Sequence, residues 1–282
     1  MSAASRLQAL LGQPGLLLMP CCYDALSAKL IEQAGFQLTF MSGFAVAAAR
    51  LALPDTGLIS YGEMVDQGRA ICAATTLPVM GDGDTGYGNA SNVKRTVQGY
   101  ARAGFACVMI EDQLSPKRCG HTRGKEVVSR HEACRRLEAA VDARHEGADI
   151  LIMARTDARA PLGFQEALAR CQDFAALGAD LVFLEAPQSA EEMARFCAEV
   201  KAPCMANMIQ NGRTPLLPPA RLEELGFKIA AYPLTLLSSA VEAMEKSLTA
   251  LRQGRYPDHI PFSRLQEVVG FPHYYQEEER YR

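Results

Sequence analysis

Short apolar runs alternate with amphipathic stretches almost from one end of the chain to the other, and this rhythm restricts the fold more than any other feature. Eight runs read as strands: Leu16–Met19, Leu38–Met41, Pro78–Met80, Ala106–Ile110, Ile150–Met153, Leu181–Leu184, Cys204–Ala206 and Ile229–Ala231. Helical stretches lie between them, among them 24–34, 91–103, 130–143, 164–176 and 190–200, and Gly35, Gly104 and Gly178 stand where helix C-termini favour glycine. Such repeated βα units build a parallel sheet, and eight of them favour a (β/α)8 TIM barrel over a doubly wound sheet. No Gly-x-Gly-x-x-Gly follows the first run, so a dinucleotide fold loses its main support.

One domain over residues 1–282 is the simplest organisation, since no Gly/Ser-rich linker interrupts the chain. After the eighth run, Thr235–Leu251 reads as a long helix. Beyond it come Pro257, Pro261 and Pro272 and then an aromatic, charged end around Tyr274 and Tyr275. The middle of this 235–282 segment is too apolar to be left loose and is expected to pack on a neighbouring subunit, although the last residues alone read equally as a frayed polar terminus. A net charge of -3 and scattered Lys and Arg residues give no field for nucleic acid. The nine cysteines are odd in number and form no Cys-x-x-Cys pair, which points away from zinc and towards a reducing compartment. No stretch approaches the roughly 18 to 20 apolar residues of a membrane span, so a cytoplasmic protein that makes no membrane contact is expected.

Barrel sites lie at the C-terminal ends of the strands, which makes the residue after each apolar run informative. Those positions carry Tyr23-Asp24, Ser42-Gly43, Asp82 and Asp84, Glu111-Asp112-Gln113, Arg155-Thr156-Asp157, Glu185, Asn207 and Tyr232-Pro233. Any one Asp there is as readily a helix cap or turn residue; the set together is harder to explain that way. Asp82, Asp84 and Glu111 offer acid oxygens with no nearby His or Cys array, which suits Mg2+, or Mn2+, rather than zinc. Directly after Glu111 comes Lys117-Arg118-Cys119-Gly120-His121, a basic, glycine-hinged stretch that reads as a lid. Its charges favour the Cys119 thiolate, and a thiol titrating near neutrality is a competent acid or base. A solvated charge run and a basic patch for phosphate remain alternatives for this stretch. Arg155 can clamp a carboxylate, Asn207 can donate to one, and Glu185 can orient Arg155 or hold a proton; a plain ion-pair network at the barrel mouth explains these three equally well.

These residues resemble the isocitrate lyase/phosphoenolpyruvate mutase superfamily from about Pro20 to the C-terminus. The carriers are SGF at 42–44, LPDTG at 53–57, GDGDTGYGN at 81–89, EDQ at 111–113, KRCGH at 117–121, ARTDAR at 154–159, LEAP at 184–187, MANM at 205–208 and AYPL at 231–234. The similarity is greatest to the branch of 2,3-dimethylmalate lyase, petal death protein and methylisocitrate lyase. It implies a Mg2+-dependent retro-aldol cleavage of a small dicarboxylate, a 2-alkylmalate or 2,3-dialkylmalate, to pyruvate and a carboxylate. Asp82 would be the direct metal ligand, with Asp84 and Glu111 binding through water and Asp55 in support. Ser42, Gly43, Phe44, Asn207, Gly120 and Arg155 would surround the substrate. Cys119 would be the acid, with His121, Glu185 and Arg155 completing the catalytic group.

Two departures narrow the substrate. Phe40 stands where methylisocitrate lyases carry a tyrosine, and Ser238 where they carry an arginine for a third carboxylate. Methylisocitrate cleavage is therefore disfavoured. Oxaloacetate hydrolysis or decarboxylation, carboxyphosphonoenolpyruvate mutation and a non-catalytic binding role on the same barrel stay open. The resemblance also implies a last helix exchanged between subunits in a dimer or dimer of dimers.

Overall fold

The computed structural model describes residues 1–119 and 124–282. Eight parallel strands close into a barrel in sequence order, β1 (Leu17–Cys22), β2 (Thr39–Met41), β3 (Val79–Asp82), β4 (Cys107–Glu111), β5 (Leu151–Thr156), β6 (Leu181–Leu184), β7 (Cys204–Asn207) and β8 (Ile229–Tyr232), with β8 pairing back onto β1. The helices are α1 (Ala3–Leu11), α2 (Ala25–Gln33), α3 (Gly43–Leu51), α4 (Tyr61–Ala74), α5 (Ala90–Ala103), α6 (Arg130–His145), α7 (Arg159–Leu162), α8 (Phe164–Ala176), α9 (Ala190–Glu199), α10 (Pro219–Glu224), α11 (Thr235–Arg252), α12 (Phe262–Val269) and α13 (Phe271–Arg280). The chain divides into two compact units, Met1–Thr235 with the barrel and Leu236–Arg282 with most of α11 and all of α12 and α13.

All eight predicted strands are present, and several run further than their apolar residues do. β3 ends on Asp82, β4 on Glu111, β5 on Arg155 and Thr156, and β7 on Asn207. Side chains alternate along a strand, so residues two apart share a face. Met80, Met109, Met153, Phe183 and Met205 belong to one buried cluster inside the barrel, to which Ala4 and Leu7 of α1 also contribute. Two positions further along the chain, on the strands or, for Glu185, just past the end of β6, stand Asp82, Glu111, Arg155, Glu185 and Asn207. One stride therefore lays an apolar floor, and the next raises a polar ring above it.

Capping residues explain where several helices begin. Ser60 accepts the amide of Glu63 while Glu63 accepts the amide of Ser60, a reciprocal box that starts α4, and Asp24 and Asn89 start α2 and α5 in the same way. No helix among the described residues is long and apolar enough to cross a membrane. In the second unit Met244, Leu248, Tyr256, Phe262 and Tyr281 are exposed, a large apolar display for so short a segment. The last residues, for which a frayed terminus was the alternative reading, are helical through Arg280.

Candidate active site

A cavity of about 70 Å3 opens at the C-terminal end of the strands. Its polar wall consists of Ser42, Asp55, Asp82, Cys119, Arg155, Glu185 and Asn207. The floor is Cys21, Phe40, Met109, Phe183, Met205 and Ala231, and a second apolar surface comes from Phe44, Ile209, Pro233 and Leu234. Eight of the predicted site residues thus meet around one space: the seven of the polar wall together with Phe44. Asp84 and Glu111 are buried and do not line it. Gly120 and His121 lie outside the described residues.

The backbone around the acids is close-fitting. Gly43 donates its N–H to Asp82 Oδ2 at 3.3 Å, and a Cβ on Gly43 would stand 2.5 Å from that oxygen. This N–H, predicted to hold substrate, is therefore engaged with Asp82. Ser42 serves as the N-cap of α3, accepting the amide of Ala45 at 3.4 Å. Asp82 Oδ1 accepts the amide of Asp84, whose φ of 48° lies in the left-handed region that Asp and Asn enter more readily than most residues. Gly83 sits between them because a Cβ there would approach the Met109 carbonyl to 2.7 Å.

Lys117 is the residue beside the site whose burial sequence reasoning missed. It was grouped with its neighbours as part of a basic run, yet it is buried, and its ammonium lies 2.5 Å from Asp55 Oδ1 and 2.7 Å from Asp84 Oδ1. Lys125 is likewise buried, 2.7 Å from Asp157 Oδ1. A solvated charge run is excluded for both lysines, because each is spent on an internal carboxylate. The clue in the sequence was the excess of strand-end acids, which obliges cations to come from elsewhere in the chain.

Burial pushes the Asp84 carboxyl up to about 6; Lys117 opposes that rise, while Asp82 and Asp55 add to it. Glu111 is raised well above the usual carboxylate range, first by burial, then by Asp157 and Asp82, against Arg155 and Lys117. Burial works against the Lys117 ammonium, but Asp84, Glu111, Asp82 and Asp55 outweigh it and hold its proton firmly. The pattern is of too much buried negative charge. Glu111 Oε1 is buried without a hydrogen-bond partner among the described residues. Asp82, Asp84 and Glu111 thus supply hard oxygen donors, two of them electrostatically strained, and a small divalent cation fits that chemistry. Among the described residues no three His, Cys, Asp or Glu side chains form a ready cage of direct ligands. An ion that keeps several of its waters does not need one.

Arg155 is held more tightly than a bare substrate clamp would be. Its Nε and Nη2 donate to Asp157 at 2.8 and 3.1 Å, while Glu111 and Glu185 lie at 3.3 and 3.2 Å, and its guanidinium stacks 5.3 Å from the Phe183 ring centroid. The ion-pair network and the cavity wall are the same structure. Behind it, Asp112 accepts the Thr156 hydroxyl, the Asp157 amide and Arg170 Nη1 at 2.6, 2.8 and 2.9 Å.

Comparisons with known proteins place the chain among relatives. The family model described as phosphoenolpyruvate phosphomutase matches residues 7–252. The 2,3-dimethylmalate lyase of Eubacterium barkeri is 41% identical over 275 residues, covering 96% of this chain and 95% of that protein. A solved oxaloacetate acetylhydrolase in complex with the inhibitor 3,3-difluorooxalacetate superposes with a TM-score of 0.94 at 36% identity, covering 99% of this chain and 96% of that one. A phosphonopyruvate hydrolase solved with oxalate and Mg2+ has a TM-score of 0.88 at 29% identity, with 100% and 99% coverage. With this barrel, these strand-end acids and matches over nearly its full length, the chain belongs to the isocitrate lyase/phosphoenolpyruvate mutase superfamily and is an enzyme of its carbon–carbon lyase kind.

Proposed function

We propose that the chain cleaves a 2-alkylmalate or 2,3-dialkylmalate, such as 2,3-dimethylmalate, into a 2-oxo acid, which is pyruvate where the 2-substituent is methyl, and a carboxylate, with Mg2+ as cofactor. The observation that carries this reading is the division of the cavity wall. Arg155, Ser42 and Asn207 suit the carboxylates and hydroxyl of the substrate, and Phe44, Ile209, Pro233 and Leu234 suit an alkyl substituent that a plain malate lacks. Mg2+ would be held by Asp82, with Asp84 and Glu111 acting through water, and would supply positive charge to the oxygens that gain electron density.

Glu185 takes the proton of the 2-hydroxyl. The C2–C3 bond breaks as the carbonyl of pyruvate forms, and the bond's electron pair passes to the departing fragment's carboxylate as an enediolate. Cys119 returns a proton to C3, completing the second carboxylate. Arg155 holds the anionic end through this sequence, and the apolar floor keeps water from the enediolate. Phe40 offers no phenol at the cavity, which leaves the proton to Glu185.

A panel of 2-hydroxy and 2-oxo dicarboxylates, scored for pyruvate and for oxalate release, tests the reading. Pyruvate from alkylated malates is the expected product, and Cys119→Ala is expected to lower that turnover roughly 100-fold or more, the scale of lost general acid catalysis. A turnover unchanged by Cys119→Ala would overturn the assignment. Hydrolysis of oxaloacetate is the second reading, supported by the TM-score of 0.94 to an oxaloacetate acetylhydrolase, and oxalate as the product would favour it.

The same proposal includes a homo-oligomer, a dimer of dimers in which the exposed apolar residues of 236–282 are covered by another copy of the chain. It also places the enzyme in the cytoplasm, a reading supported by nine cysteines of which, among the described residues, none is joined in a disulfide.

A further inference from the structure

Lys125 and Asp157 play no part in the reaction as written above, yet they are among the most buried charged groups of the molecule, with side chains 1% and 0% exposed. Neither lines the cavity. Their geometry is nevertheless specific. Asp157 Oδ2 takes Arg155 Nε, and Oδ1 is shared between Arg155 Nη2 at 3.1 Å and Lys125 Nζ at 2.7 Å. The shorter contact belongs to the lysine.

Both partners are held in place from several sides. Asp157 is pinned through its own amide to Asp112 Oδ1. Lys125 is placed by a short antiparallel pairing in which Leu114 N–H donates to the Glu126 carbonyl and Val128 N–H to the Asp112 carbonyl, each at 2.9 Å. Arg170 Nη1 joins the two supports, donating at 2.9 Å both to Asp112 Oδ2 and to the Val128 carbonyl. The pair is a fixture of the barrel wall.

Charge gives this fixture a purpose. Arg155 faces the acidic side chains of Asp157, Glu111 and Glu185, three carboxyl groups around one guanidinium. An anionic substrate entering beside Arg155 would meet a surplus of negative charge unless some of it were answered from behind. We propose that Lys125 is a positioning residue which, by drawing the charge of Asp157 onto itself, leaves Arg155 enough uncompensated positive charge and the right aim to bind a dicarboxylate. Lys125 thereby acts on binding without touching the substrate. The inference rests on the reading of the cavity as a dicarboxylate site.

The test compares the full-length wild-type protein with Lys125→Met, Lys125→Arg and the double variant Lys125→Met/Asp157→Asn in Mg2+ buffer. Equilibrium binding of oxalate is measured beside KM and kcat on 2,3-dimethylmalate. Lys125→Met is expected to weaken oxalate binding and raise KM roughly 10-fold or more, with kcat within about threefold, since a charge lost behind the binding group alters association before chemistry. Lys125→Arg is expected to recover most of the loss. The double variant, which removes both charges, is expected to bind oxalate better than Lys125→Met does. It also decides the matter if the single variant fails to fold, by binding oxalate within about threefold of wild type, because the carboxylate and the ammonium that answers it leave together.

A folded Lys125→Met with wild-type oxalate affinity and KM overturns the proposal. So does a double variant that binds oxalate no better than the single one, or, where the single one does not fold, a double variant more than about threefold weaker than wild type, because an effect set by net charge must be relieved when both charges go. A wild-type protein that neither binds oxalate nor turns over any dicarboxylate sinks the proposed function itself, an outcome distinct from wild-type binding that Lys125→Met leaves unchanged.

Discussion

Asp84 shows how much a single position in this site is asked to tolerate. It adopts a left-handed backbone, is almost fully buried, and has a carboxyl raised to about 6 by burial ahead of its charged neighbours. A carboxyl whose folded value exceeds its unfolded one takes up a proton in the folded state first, so it adds stability at low pH that is lost as pH rises through about 6. With a chelator present, the wild-type protein is expected to lose on the order of 1–3 kcal/mol from this group between pH 4 and pH 7, relative to an Asp84→Asn variant. Asparagine accepts the left-handed backbone, so the comparison isolates the charge. Parallel denaturant titrations across that pH range check it, and identical slopes for the two proteins would count against the buried-charge account. Lys117→Met poses the complementary question. Removing the ammonium strands Asp55 and Asp84, and a metal-free variant is expected to be about 3 kcal/mol less stable by urea unfolding, with added Mg2+ restoring part of the loss. The strand-end acids were legible in the sequence because they follow apolar runs. Lys117 and Lys125 were not, since nothing local distinguishes a buried lysine from its exposed neighbour Arg118.

The elements show a similar boundary between what periodicity reveals and what it hides. Every strand could be found from its apolar run, but each run gave only the floor of the barrel. The strand itself continues into Asp82, Glu111, Arg155 or Asn207, polar residues that a hydrophobic count assigns to loops. Two helices beside the site, α3 and α4, went unpredicted. Ser42 was read as a ligand-holding residue when it also caps α3, and the reciprocal Ser60–Glu63 pair was a readable start signal for α4. The join between β2 and α3 is the element-level feature most open to test. Gly43→Ala would press a methyl group onto Asp82 Oδ2, and the turn must shift to relieve it. The variant is expected to fold with a loss of about 1–3 kcal/mol, since overpacking at a close contact costs that much, while Mg2+ affinity falls at least tenfold. Calorimetric Mg2+ titration together with thermal unfolding measures both. An unchanged affinity would mean that Asp82 is not held where the ion needs it.

At the scale of the whole molecule, the barrel and the 236–282 segment differ in how completely each accounts for its own apolar surface. The first unit buries a continuous core, whereas the second exposes Leu248, Tyr256 and Phe262. A second copy of the chain as the cover predicts a thermal midpoint that rises with protein concentration and a mass above 30.6 kDa by light scattering. A monomeric mass at micromolar concentration, with no such dependence, would leave those residues unexplained by self-association.

The two-residue stride of the strands has an evolutionary corollary. Lower rungs such as Met109 and Phe183 belong to the packed core and reach the cavity only as its floor, while upper rungs such as Arg155 and Asn207 form its polar wall. A lineage built this way can exchange the upper tier, and with it the molecules it accepts, while the masonry beneath stays as it was.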